Sequence, residues 1–219
     1  MNVAIVLFPE FTALDAIGPY EVIARVPGWN VTFVAKEAVP IRTDTGITTI
    51  EATRSFDEVT EADIVLVPGG GGSRVAMLDE ATLDWLRRIA ARATWVTSVC
   101  TGSLVLAAAG LLDGKRCTTY WLYLEQLREL GAIPVSERVV FDGNTVTAAG
   151  VSSGIDMALS LVAEATSPEV AQAMQLAIEY DPRPPFDSGS PETAHEDIVN
   201  VVTQVAAQRD EWLRRRLDS

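Results

Sequence analysis

The chain has 219 residues, 48% hydrophobic and 21% charged, enough for one sizeable core and too few for two, and this composition excludes wholesale disorder. A formal net charge of -13 excludes a nucleic-acid groove, which needs a basic surface. The apolar stretch from Ser103 to Leu112 is broken by Gly110 and stops far short of a bilayer span. Two cysteines, Cys100 and Cys117, are too few for a disulfide framework.

In chain order, residues 3–8 (VAIVLF) predict a buried first strand, with no basic segment before it and no small-residue cleavage site after it. They do not read as a signal peptide, so the expected address is cytoplasmic. Residues 15–25 predict a helix and 31–35 a second strand. Residues 64–67 (IVLV) predict a third strand, running into Pro68-Gly69-Gly70-Gly71-Gly72. Residues 80–92 are amphipathic, with Leu83, Leu86 and Ile89 on one face. Residues 95–99 predict a fourth strand, and 100–112 a mostly apolar helix.

Beyond these, 116–119 predict a short strand, and 139–141 with 145–148 a hairpin about Asp142-Gly143-Asn144. Helices are expected at 155–165 and 169–179, the second opened by Ser167-Pro168. A proline-rich loop spans 181–191, and a last helix spans 192–217 with the basic run Arg214-Arg215-Arg216 at its end. Strands alternating with helices predict a doubly wound α/β fold. The continuously apolar strands predict a mostly parallel sheet covered by helices on both faces. No repeat or linker divides the chain, so residues 1–219 read as one domain.

Chemistry concentrates at Trp95-Val96-Thr97-Ser98-Val99-Cys100-Thr101-Gly102-Ser103, where a strand enters a helix with no loop between. Such a turn holds its residue in a tight conformation at the carboxyl edge of the sheet, where open α/β sheets bind ligands. Cys100 there faces a helix N-terminus, whose amides are expected to favour the thiolate. The alternative is a small buried hydrophobe. The glycine loop is neither a phosphate-binding loop, lacking Gly-Lys-Ser/Thr, nor a dinucleotide fingerprint. Gly69, Gly70 and Gly71 are expected to form an oxyanion-type nest beside Cys100.

Asp15, among apolar neighbours, reads either as a helix cap or as a carboxyl held protonated for acid catalysis. His195 is the only histidine and Thr101, not histidine, follows Cys100, which argues against a Cys-His-Asp hydrolase and against a metal site. Cys117 reads as core.

At these residues the sequence resembles the ThiJ/PfpI superfamily, and within it the isonitrile hydratase-like subgroup. The similar stretches are Leu14-Asp15 with Gly18-Pro19, Pro68-Gly69-Gly70, VTSVCTGSLVLAAAGLL over 96–112, Gly131-Ala132-Ile133-Pro134-Val135, Gly154-Ile155-Asp156, and EYDPRPPFDSGSP over 179–191. The resemblance implies a flavodoxin-like sheet, a homodimer, no cofactor and a small-molecule substrate, with no nucleic acid or membrane as partner.

It also implies Cys100 as nucleophile, Asp15 as its carboxylic partner, and the amides of Gly70 and Thr101 at the thiol. The subgroup's T-T-H-W stands here as Thr118-Thr119-Tyr120-Trp121, which places Thr119 and Tyr120 as pocket residues. The activity implied is hydration of an isonitrile to an N-substituted formamide through a thioimidate on Cys100. Two other readings stay open, a cysteine-based redox or ligand sensor and a glyoxalase-like hydratase.

Overall fold

The computed structural model describes residues 1–217, with side chains as far as Glu211. The side chains of Arg214, Arg215 and Arg216 therefore lie outside the described residues. The chain divides into two compact units, 1–178 and 179–219.

In the first unit the elements are β1 (Asn2–Val6), α1 (Ala13–Ile23), β2 (Asn30–Ala35), β3 (Pro40–Arg42), β4 (Thr49–Glu51), β5 (Arg54–Ser55), β6 (Ile64–Val67), α2 (Ser73–Ala76) and α3 (Glu80–Ala90). They continue through β7 (Trp95–Val99), α4 (Gly102–Ala108), β8 (Arg116–Cys117), α5 (Leu124–Glu129), β9 (Ile133–Pro134), β10 (Val139–Asp142), β11 (Thr145–Ala148), α6 (Ser153–Ala165) and α7 (Pro168–Ala177).

Seven strands form the central sheet in the order β10-β11-β7-β6-β1-β2-β5. All neighbours are parallel except β10, which pairs antiparallel with β11 across the 142–145 hairpin. Parallel strands bury both faces, which is why β6 is apolar at all four positions, each 0% exposed. Each such side chain contributes about 1.5–3 kcal/mol on burial. Helices α1, α6 and α7 pack as one group and α2, α3 and α5 gather round α4, so the expected doubly wound α/β fold is the observed one.

The amphipathic reading of 80–92 holds: Leu83, Leu86 and Ile89 are buried, together with Trp85, which stacks on Phe56. Asp79 caps this helix by accepting from the Thr82 amide at 3.2 Å. Several boundaries differ from expectation. The helix expected over 100–112 ends at Ala108, because Gly110 takes a positive φ and turns the chain out of the helix. The strand expected over 116–119 is two residues long, paired only with β9. The helix expected from 15 begins at Ala13, which puts Asp15 inside its first turn.

The topology places the site. From β1 the chain crosses to β2 on one side, then returns to β6 on the other. Strand order therefore reverses between β1 and β6, and the crevice at their carboxyl ends is where such sheets bind ligands. The loops leaving β1 and β6 and the turn leaving β7 all open there.

The second unit contains the 181–191 loop and α8 (Glu196–Leu217), which begins later than the expected residue 192. His195 precedes it, its Nδ1 accepting from the Asp197 amide at 3.3 Å. Among the described residues no helix is long and apolar enough to cross a membrane. Among the same residues no three histidine, cysteine, aspartate or glutamate side chains gather at metal-binding distance.

Candidate active site

Cys100 lies between the end of β7 and the start of α4 with φ +56°, the left-handed region that L-residues avoid at a cost of roughly 1–3 kcal/mol. The surroundings hold it there from both sides. Its amide donates to the carbonyls of Ala148 and Ala149 at 3.0 and 2.8 Å. Its carbonyl accepts from the hydroxyls of Ser103 and Thr119, each at 3.0 Å. Thr119, expected as a pocket residue, is 1% exposed and serves instead to fix the backbone of the turn. The cysteine itself is 6% exposed.

The glycine loop lies directly against this turn. A Cβ on Gly69 would fall 2.5 Å from the Thr101 nitrogen and 2.9 Å from the Cys100 Cβ, so only glycine fits. Gly70 has φ +126°, and its missing side chain leaves room for the backbone of Glu10, Phe11 and Thr12. Two amides of the expected nest are already engaged: Gly69 donates to Asp15 Oδ2 at 2.9 Å and Gly70 to Thr101 Oγ1 at 3.0 Å. Gly71 is half-buried in the turn into α2. The backbone amides that reach the Cys100 sulfur are those of Thr101 and Val151, joined by the Thr101 hydroxyl.

Asp15 is not the cap of its helix. That position belongs to Thr12, while the Asp15 side chain turns inward, is 0% exposed, and reaches across to Gly69. Its Oδ1 has no hydrogen bond of good geometry, yet the Cys100 thiol is near enough to act on the carboxyl as a weak donor.

Burial lifts the Asp15 pKa from its ordinary 3.8 to about 7, the Gly69 amide and the thiol partly opposing the rise. Asp44 adds to it from the neighbouring loop, where its carboxylate accepts from Thr12 Oγ1 at 2.6 Å. Burial also pushes the Cys100 thiol well up, and the Asp15 carboxylate reinforces this. The expected thiolate favoured by the helix N-terminus is therefore overturned. Desolvation and a neighbouring acid outweigh the amides, and the two groups titrate as a coupled pair.

Tyr120 lies against Gly150, where an added Cβ would meet its ring at 2.8 Å, so this aromatic flanks the segment that carries the Val151 amide. It also packs on Trp121 and Tyr123, and Arg74 lies over the Tyr123 ring. Cys117 is in the core as expected, its thiol pushed up to about 11 by burial and Asp142.

Sequence reasoning missed Val151, Ala148, Ala149 and Asp44. The run of small residues Ala148-Ala149-Gly150, ending the strand beside β7, is the one signal that the chain passes close to Cys100 there.

The DJ-1/PfpI family matches residues 1–164. An isonitrile hydratase from Pseudomonas putida is 49% identical over 207 residues, spanning 94% of this chain and 90% of that protein. Among solved structures, a ThiJ/PfpI family protein from Pseudomonas syringae superposes with a TM-score of 0.93 at 37% identity, covering 97% of this chain and 88% of its own. Drosophila melanogaster DJ-1beta superposes with a TM-score of 0.74 at 25% identity, covering 81% and 97%.

Proposed function

The chain belongs to the DJ-1/PfpI family, and from that premise we propose that it is an isonitrile hydratase, converting R–N≡C and water to an N-substituted formamide on Cys100. The 49% identity to the Pseudomonas putida enzyme over nearly the whole chain supports the reaction. The observation that carries it chemically is the buried pair of one thiol and one carboxyl, with no further ionisable group needed.

The geometry suits a shuttled proton. An isonitrile carbon is attacked readily only as it is protonated, so nucleophile and acid must act together. In the singly ionised pair the Asp15 carboxylate takes the Cys100 proton as sulfur bonds to the terminal carbon, then gives it to that carbon, forming the thioimidate R–N=CH–S–Cys100. Water adds to the C=N carbon with its proton passing to nitrogen, and collapse of that adduct releases R–NH–CHO and restores the thiol. The Thr101 and Val151 amides stabilise negative charge on sulfur as it enters and leaves.

The sensor alternative needs a thiol of low pKa, and burial beside Asp15 holds that of Cys100 well up. The homodimer and the cytoplasmic address belong to this proposal too. Two free cysteines suit a reducing compartment, and sedimentation equilibrium tests the dimer.

The test of the reaction is formation of N-formyl product from cyclohexyl isocyanide by the purified protein. Product is expected from the wild type and none from Cys100→Ala, and equal rates from the two would overturn the assignment.

A further inference from the structure

Arg138 grips, at three points, the segment that wraps the nucleophile. Its carbonyl accepts from the Ala149 amide at 3.0 Å. Its Nη2 donates to Ser152 Oγ at 3.3 Å, and its Nε donates to Asp156 Oδ2 in an ion pair. Between these anchors lies the stretch that serves Cys100. The Ala149 carbonyl accepts from the Cys100 amide, and the Val151 amide lies near enough to the Cys100 sulfur to favour its ionised form.

We propose that Arg138 is a positioning residue for the hydration reaction, pinning residues 149–156 so that the Val151 amide stays aimed at the Cys100 sulfur. This rests on Cys100 being the nucleophile, as read above. Three features support it. The guanidinium spans Ser152, just before α6, and Asp156, in its first turn, a reach that a planar fork achieves and a point charge does not. The Ala149–Ser152 stretch is a turn between β11 and α6, and the Arg138 contacts fix it together with the Tyr120 ring and its bonds to Cys100. Finally, the ion pair is half exposed, with side chains 51% and 31% accessible, a setting in which such pairs add little to global stability. The consequence of losing it is therefore local: the fold stands while one amide loosens at the sulfur.

The test follows alkylation of Cys100 by iodoacetamide, by intact-protein mass spectrometry, as a function of pH. It compares wild type, Arg138→Met and Arg138→Lys, with thermal melting alongside. Arg138→Met is expected to alkylate about tenfold more slowly at neutral pH, its profile displaced to higher pH, as loss of one hydrogen bond to an ionised sulfur requires. Arg138→Lys, which keeps a charge for Asp156 but loses the fork, should fall between.

An unchanged profile overturns the proposal, and so does a faster reaction with an unshifted profile, since that would mean Arg138 only shields the thiol. Should Arg138→Met fail to fold, Ser152→Ala and Asp156→Asn remove the anchors singly and must show the same displacement for the proposal to stand. Alkylation needs no isonitrile turnover, so a wild type lacking hydratase activity would sink the assigned reaction while leaving this result readable.

Discussion

Gly69 donates its backbone amide to Oδ2 of Asp15 at 2.9 Å, joining the loop after β6 to a carboxyl in the first turn of α1. This bond holds Asp15 at the thiol and supplies one of the few interactions that favour its charged form. The Cys100 thiol favours the charge as well, while burial first and Asp44 after favour the proton.

The first prediction concerns the pH dependence of turnover. Below about 7 the Asp15–Cys100 pair carries both protons, and no carboxylate is present to accept from the thiol. As pH rises through about 7 the carboxylate appears, so kcat/KM is expected to climb with a midpoint near that value. In Asp15→Asn the side-chain oxygen can still accept from Gly69, but the base is gone. Activity should fall about 10²–10⁴-fold, and the rising limb should vanish. Formamide production assayed across pH checks both.

The same carboxyl should weaken the fold. A carboxyl lifted from 3.8 to about 7 binds a proton more tightly folded than unfolded, so stability is full below the unfolded value and declines as pH rises toward 7. The full effect corresponds to about 4 kcal/mol at most. Asp15→Asn should therefore melt higher than wild type above pH 7, by several degrees, with no difference in acid below the unfolded pKa. Calorimetry at the two extremes measures this, and a constant offset at all pH would contradict it.

Much of the scaffold is legible in the residues. β6 and β7 read directly from IVLV and WVTSV, because a parallel strand must be apolar along its length. Gly143 adopts the positive φ that the 142–145 hairpin needs. Cys100 is legible because no loop residue separates Val99 from the helix. What does not show is whatever depends on distant backbone. The Val151 amide bears on the sulfur from 51 positions along the chain, and any residue but proline offers that amide. The protonation of Cys100 does not show in the sequence for a related reason. A helix N-terminus is visible in sequence, whereas the burial of the thiol against Asp15 follows only from packing.

Glycines at the crossing points should differ in severity according to what a Cβ would meet. On Gly102 it would fall 2.0 Å from the Val67 carbonyl oxygen and 2.8 Å from that of Pro68, so β6 and α4 cannot both keep their places. Gly102→Ala is expected to destabilise by more than about 3 kcal/mol, or to prevent folding. On Gly69 the nearest atoms belong to Thr101 and Cys100, and Gly69→Ala should displace the catalytic turn at a smaller cost to the fold. Denaturant midpoints beside residual activity separate the two cases. Gly102→Ala should lose stability most, while Gly69→Ala should lose activity out of proportion to stability.

Thr101 offers a last test of how the loop and the nucleophile are tied together. Its hydroxyl accepts from the Gly70 amide at 3.0 Å and also bears on the Cys100 sulfur. Valine has the same shape without the hydroxyl, so Thr101→Val strands a partly buried amide, at roughly 1–3 kcal/mol, and removes one donor from the sulfur. The melting temperature should drop by several degrees, at about 2–4 °C per kcal/mol for a chain of this size. The reaction rate should fall about tenfold. Thr101→Ser keeps the hydroxyl and should retain both within about twofold in rate. Comparing the three proteins by melting and by formamide production decides the matter, because equal losses in the valine and serine variants would mean that packing of the methyl group, not the hydroxyl, holds the turn.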